Sequence, residues 1–180
     1  KNGITNNSFG IEISEEAVEL AQKTAEEFAK DSFTPINADI KNLKGVLPFG
    51  EFELVTCNPP YKAEGAGIKS AGERDIVARH ETMCTLEDVI SAASRLLKSS
   101  GRLCICQRPE RLTDIICLMR QYKLEAKRIR TVSKKVGEEP WLVLVEGRLG
   151  GGKGMRILPN LNLYKNGELT EEMIQIEGSY

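Results

Sequence analysis

Apolar residues recur along this chain at strand and helix spacings in turn, with glycine and proline marking the breaks. Residues 9–13 read as a strand, and Ser14 then supplies a helix cap. Glu15 and Glu16 complement the positive end of a helix, and Val18, Ala21, Ala25 and Phe28 fall on one helical face, so residues 15–30 predict an amphipathic helix. Residues 35–38 predict a short strand with Asp39 at its end, followed by a loop over 41–51 holding Gly45, Pro48 and Gly50. Residues 53–57 form a short apolar, β-branched run, which predicts a buried strand. Residues 62–74 are rich in Gly, Ala and Ser without periodicity, as expected of a lid loop that orders on substrate binding.

The second half repeats the alternation. Thr85-x-x-Asp88 resembles a capping box, and Leu86, Val89, Ile90, Ala93, Leu96 and Leu97 form the apolar stripe of a helix expected to end at Gly101. Residues 103–106 predict a strand. Pro109 suits the first turn of a helix that carries Ile115, Ile116, Leu118 and Met119. Residues 124–132 alternate Lys127, Arg128 and Arg130 with apolar side chains, like a half-exposed strand, and 141–145 predict a last apolar one. Residues 158–164 and the turn Lys165-Asn166-Gly167 suggest a hairpin or strap over the body.

At 180 residues the chain is one domain by length, large enough for a sizeable core. Its net charge of −1 hides an uneven distribution: residues 1–94 carry 9 Lys and Arg against 16 Asp and Glu, whereas residues 95–156 carry 15 against 6. A basic half suits a polyanionic substrate, although a solvated charged face has the same composition. Cysteines at 57, 84, 104, 106 and 117 form no Cys-x-x-Cys pair, and there is a single histidine, so no metal site is expected. Cys104 and Cys106 share a strand face and predict small core residues. An odd number of mostly buried thiols suggests a reducing compartment. With no signal peptide, transmembrane run or low-complexity tract in the sequence, a soluble cytoplasmic protein without a membrane partner is expected. Gly147-x-x-x-x-Gly152-Lys153 nearly spells a phosphate-binding loop, but Gly154 stands where Ser or Thr would bind magnesium and Pro159 interrupts any helix. It reads as a flexible basic linker.

Candidate chemistry concentrates at Asn58-Pro59-Pro60-Tyr61, directly after the apolar strand. Two prolines end the strand, since each fixes φ and Pro has no backbone N–H, and they stiffen the turn at the carboxyl end, where open α/β sheets bind ligands. The Asn58 side-chain oxygen and the Pro59 carbonyl are acceptors. Side by side they suit an amino nitrogen conjugated to a ring or carbonyl, returning electron density to a delocalised lone pair. Tyr61 suits stacking on the planar group. An ordinary strand-to-loop turn uses the same residue types.

Asn-Pro-Pro-Tyr closing an apolar strand resembles the catalytic motif of S-adenosylmethionine-dependent amino-methyltransferases. Phe9-Gly10-Ile11-Glu12-Ile13-Ser14 resembles that family's second strand, ending in an acid that grips the cofactor ribose, and Asn37-Ala38-Asp39-Ile40 resembles its third, where an aspartate meets the adenine amino group. Ala78-Arg79-His80-Glu81 and the stretch from Cys84 to Ile90 resemble the branch that methylates adenine in bacterial tRNA. The resemblance implies an α/β, Rossmann-like, mostly parallel seven-stranded domain over residues 1–149, with a basic glycine linker and C-terminal strap over 150–180. It implies S-adenosyl-L-methionine held by Glu12, Ile13, Asp39, Ile40 and Asn58, catalysis by Asn58, Pro59 and Tyr61, and a substrate held by Pro60, Tyr61, Arg79 and His80. The implied partner is RNA, tRNA above all, with the oligomeric state left open.

Other roles stay open for the two acids: Glu12 as a surface acid beside a helix start, and Asp39 as a helix cap. His80 is expected to be structural or substrate-positioning, paired with Glu81, because methyl transfer to a neutral amine needs no dedicated base. The family's first strand and glycine-rich loop are expected ahead of residue 9, since neither Gly3 with Gly10 nor Gly65-Ala66-Gly67 supplies that loop. Without that central strand two rows of backbone groups would go unpaired, at about 1–3 kcal/mol for each buried one. The natural protein is therefore expected to be longer, and the activity is expected of the full-length form. Three other substrates or roles share the motif: a protein glutamine amide, DNA adenine, or non-catalytic RNA binding.

Overall fold

Ser14 ends the first strand and starts the first helix: its hydroxyl accepts the Ala17 amide at 3.3 Å, and its own N–H donates to Glu12 Oε1 at 2.9 Å. In the computed structural model, which describes residues 7–29, 32–59 and 84–178, β1 (Ser8–Glu12) leads through α1 (Glu15–Phe28) to β2 (Phe33–Asn37), parallel to β1. β3 (Phe52–Cys57), α2 (Leu86–Leu96), β4 (Leu97–Gln107), α3 (Leu112–Gln121), β5 (Leu124–Lys135) and β6 (Leu142–Leu149) follow. The short β7 (Arg156–Ile157), β8 (Leu161–Lys165), β9 (Glu168–Leu169) and α4 (Glu171–Glu177) close the chain.

Among the described residues the strands fall into two sheets, β1-β2 and β3-β4-β6-β5-β8-β9, with β7 beside β5. β3 and β4 are parallel, and β6 runs antiparallel between β4 and β5. No ladder joins β1 to β3. An apolar cleft of about 470 Å³ runs between them, with the Phe9 ring edge-on to Phe52 at 5.8 Å. The architecture is the expected Rossmann-like α/β layering, with parallel pairs β1-β2, β3-β4, β5-β7 and β5-β8 and antiparallel pairs β4-β6, β5-β6 and β8-β9.

One face of the larger sheet carries the core. Leu86, Val89, Ile90 and Ala93 of α2 and Ile115 and Met119 of α3 pack on Leu103, Ile105, Ile129, Val143 and Val145. Thr85 sets the start of α2 by the expected capping box: its hydroxyl accepts the Asp88 amide at 3.1 Å, and Asp88 Oδ2 accepts the Thr85 amide at 2.9 Å. A second cluster of Leu43, Leu47, Ala92 and Leu96 ties Ile11 and Ile36 of the small sheet to α2. The tail forms the expected hairpin around Asn166 and Gly167, and β8 extends the sheet edge beside β5.

Three expectations need correction. α2 stops at Leu96, and β4 begins at once, so Gly101 lies within the strand rather than at the helix end. A Cβ on Gly101 would lie 2.9 Å from both the Lys98 and Phe52 carbonyl oxygens, so close backbone approach is what demands glycine there. Phe28 is 74% exposed, because α1 covers only a two-stranded sheet and buries just Val18 and Ala25. Cys104 and Cys106 are half-buried on the sheet face opposite α2 and α3, away from the main core, with Cys106 packed against the smaller cluster of Val132, Leu142 and Leu161.

Candidate active site

β3 ends at Cys57 because the prolines that follow cannot extend it, which leaves Asn58 exposed and Pro59 buried at the strand's carboxyl end. β1 and β2 end beside each other. Asn37 Nδ2 donates to the Glu12 and Ile13 carbonyls at 3.3 and 3.1 Å, fastening the two strand ends. Asp39 caps the single 3₁₀ turn Ile40–Asn42, its Oδ1 accepting the Lys41 amide at 2.9 Å.

These three strand ends border one cleft. Glu12, Ile13, Asp39, Ile40, Asn58 and Pro59 all line it, around about 290 Å³, at the lower edge of the roughly 300–1,000 Å³ usual for small-molecule sites. The structure thus brings together every candidate residue that lies within its described part. Pro60, Tyr61, Arg79 and His80, with the expected lid over 62–74 and Glu81, lie outside the described residues. Asp39 does cap a helical turn, as its alternative had it, and Glu12 sits beside the start of α1, where it accepts the Ser14 amide. These bonds engage one oxygen of each carboxylate, and an ionised carboxylate offers about four lone-pair sites. Glu12 Oε2 therefore remains for a hydroxyl donor, as does Asp39 Oδ2, 3.8 Å from Lys41 Nζ. A diol and an amino group are ligands that such acceptors suit, and Ile13 and Ile40 add apolar surface for a ring.

Cys57 and Cys84 also line the cleft, and neither figured among the candidate site residues. Cys57 was legible in the sequence as the residue before Asn58, and Cys84 as the residue before the α2 cap. Burial pushes the Cys57 thiol up to about 11, with the neighbouring Cys84 adding to the effect. Burial also raises Cys84, reinforced by Asp88 and Asp39. Both are therefore neutral thiols near neutral pH. A second, apolar cleft of about 470 Å³ lies on the sheet face opposite α2 and α3, between Thr56, Cys104, Cys106, Leu144 and Leu158, and Asn58 borders it as well. Among the described residues no cluster of three or more His, Cys, Asp or Glu is disposed to hold a metal, and no helix is long and apolar enough to cross a membrane.

A family model described as a methyltransferase domain matches residues 2–158. The chain belongs to this methyltransferase-domain family. Two curated relatives of the domain carry the name tRNA1(Val) (adenine(37)-N6)-methyltransferase. The one from Porphyromonas gingivalis is 30% identical over 142 residues, 77% of this chain and 55% of its own length. The one from Aeromonas hydrophila is 28% identical over 119 residues, 66% of this chain and 45% of its own. The chain thus spans about half the length of the curated relatives it matches. Among solved structures, a predicted O-methyltransferase from Agrobacterium tumefaciens superposes with a TM-score of 0.74 at 22% identity, over 94% of this chain and 76% of its own. That superposition establishes the methyltransferase-domain fold.

Proposed function

We propose that the protein carrying this chain methylates the exocyclic amino group of adenine in RNA, tRNA foremost, with S-adenosyl-L-methionine as donor, in the cytoplasm. The observation that carries the reading is the convergence of Glu12, Asp39, Asn58 and Pro59 on one cleft in a methyltransferase-domain chain. The tRNA adenine enzymes among its relatives support the substrate.

When bound, S-adenosylmethionine supplies an electrophilic methyl group on a sulfonium and leaves as S-adenosylhomocysteine. The Glu12 carboxylate would accept from the ribose hydroxyls and Asp39 from the adenine amino group, with Ile13 and Ile40 against the ring. Asn58 Oδ1 and the Pro59 carbonyl accept the two N–H bonds of the target amine, which raises the nucleophilicity of its nitrogen and aligns it. This reading gives Tyr61 the stacking of the target base, with Pro60, Arg79 and His80 as further substrate contacts. The product cation is acidic enough to lose its proton to water. Because Cys57 and Cys84 stay protonated, the cleft holds no thiolate to compete for the methyl group.

Methyl transfer from labelled S-adenosylmethionine tests the reading, using the full-length protein with tRNA, ribosomal RNA, DNA and cell protein offered separately. N6-methyladenosine recovered from digested tRNA is the expected product. Label in glutamine or in DNA would move the substrate elsewhere. RNA binding without any transfer would make the protein a binding module.

A further inference from the structure

The larger sheet is covered by α2 and α3 on one face, and its opposite face turns strongly basic toward the amino ends of β3 and β4. A groove of about 740 Å³ opens there, and six cations line it: Arg102, Lys127, Arg128, Arg148, Lys153 and Arg156. The single acid along it is Glu146, which pairs with Arg128 and lies 3.8 Å from Arg102. Arg148, Lys153 and Arg156 are exposed and have no ion pair among the described residues.

Two features separate this groove from an ordinary solvated face. Arg102 stands directly opposite Arg148 across the β4-β6 ladder, and Arg128 directly opposite Arg156 across the β5-β7 ladder. Like charges directly opposite destabilise a sheet, and the nearby carboxylates do not cancel the two pairs: Glu146 is shared between Arg128 and Arg102, and Glu125, opposite Arg148 across the β5-β6 ladder, is already paired with Arg120. The glycine loop is also tied to the sheet. Lys127 Nζ donates to the Gly152 and Gly154 carbonyls at 2.9 and 2.7 Å, which seats Lys153 at the rim. The loop presents those carbonyls to a cation, the opposite of a phosphate-binding loop.

The occupant that relieves such a field is a linear polyanion. We infer that this groove takes the sugar-phosphate backbone of the RNA substrate, holding the strand while a base reaches Asn58. The inference rests on the RNA reading above and adds the surface where the RNA lies. Arg102 pairs with Leu54 of β3, four residues before Asn58, so at 3.3 Å per residue the groove begins about 13 Å from the catalytic candidate.

The test is Arg148→Gln with Arg156→Gln, and separately Lys153→Gln, in the full-length protein, with unfractionated bacterial tRNA as the probe. Each phosphate contact contributes about 0.7 to the slope of log affinity against log salt on single strands, so losing one weakens binding about 5-fold at 0.1 M salt. The double variant is therefore expected to raise the KM for tRNA about 25-fold and flatten the salt slope by about 1.4. Its kcat at saturating tRNA and its affinity for S-adenosylmethionine should not change. The single Lys153 variant, on an exposed loop residue that cannot disturb the core, should show about one such step. Wild-type tRNA methylation with unaltered KM and salt slope in both variants would overturn this inference alone. Wild-type protein that methylates no RNA would overturn the RNA reading, and this inference with it.

Discussion

Replacing Glu12 by glutamine separates the bond that its carboxylate makes at the start of α1 from the cofactor contact proposed for it. Oε1 of Glu12 accepts the Ser14 amide at 2.9 Å at the start of α1, and the residue also lines the cleft shared with Asp39 and Asn58. A glutamine oxygen can keep the first bond, so α1 and its Ser14 cap should survive and the melting temperature should move by no more than about 2 °C. What is lost is the carboxylate acceptor proposed for the cofactor's hydroxyls. Hydrogen bonds to charged groups are worth about 1.5–3 kcal/mol, so the Kd for S-adenosylmethionine should rise about 10- to 150-fold. Ser14→Ala is the converse. It removes the acceptor for the Ala17 amide, costs about 0.5–2 kcal/mol of stability, and should leave the Kd within about threefold. Isothermal titration with cofactor, paired with thermal melts of the same variants, reads both quantities. An unchanged Kd for Glu12→Gln would refute the ligand role. So would an equal loss of affinity in Ser14→Ala, since Glu12 would then act only through the helix.

Two other predictions follow from the same description. Thr85→Ala removes the hydroxyl that accepts the Asp88 amide and donates to Asp88 Oδ2 at 2.8 Å. It should cost about 0.5–2 kcal/mol and lower the melting temperature by a few degrees, whereas Thr85→Ser should restore it; equal melts for the alanine and serine variants would count against the cap. The Cys57 thiol is held at about 11 in the folded chain against 9.0 for an ordinary thiol. Above pH 9 the unfolded chain sheds this proton first, so stability is full below pH 9 and falls as pH rises through about 11, by about 2–3 kcal/mol at the limit. Urea melts between pH 8 and 11 should show a smaller decline in Cys57→Ala, and an identical decline would contradict the assignment.

What was legible in the sequence was local. Thr85 and Asp88 name the start of α2 by their spacing, and Asn58-Pro59 names the end of β3 by proline's missing N–H. Glu12 and Asp39 could be assigned to one site because each follows a strand in a familiar order, and the structure does put both against one cleft. Illegible features depend on partners distant in sequence. Gly101 looks like a helix stop until the Phe52 carbonyl is seen to lie against it. Phe28 fits a helical stripe, but periodicity does not reveal that only two strands lie beneath. Cys104 and Cys106 share a face as predicted, yet the sequence does not say which face the helices cover. The basic half of the chain was visible as a count, but its convergence on one groove follows from the register that sets Arg102 opposite Arg148 and Arg128 opposite Arg156.

The most direct test of the account is Asn58→Ala in the full-length protein, read by methyl transfer to tRNA and by cofactor titration on the same sample. Asn58 lines the cleft beside the carboxylates. Removing one preorganised partner of the reacting group typically costs about 100- to 1,000-fold in kcat. The account predicts a loss at least that large, with the Kd for S-adenosylmethionine within about threefold of wild type. Parallel loss of both would leave Asn58 only the cofactor contact that the resemblance also implies, and retained turnover would remove it from the chemistry.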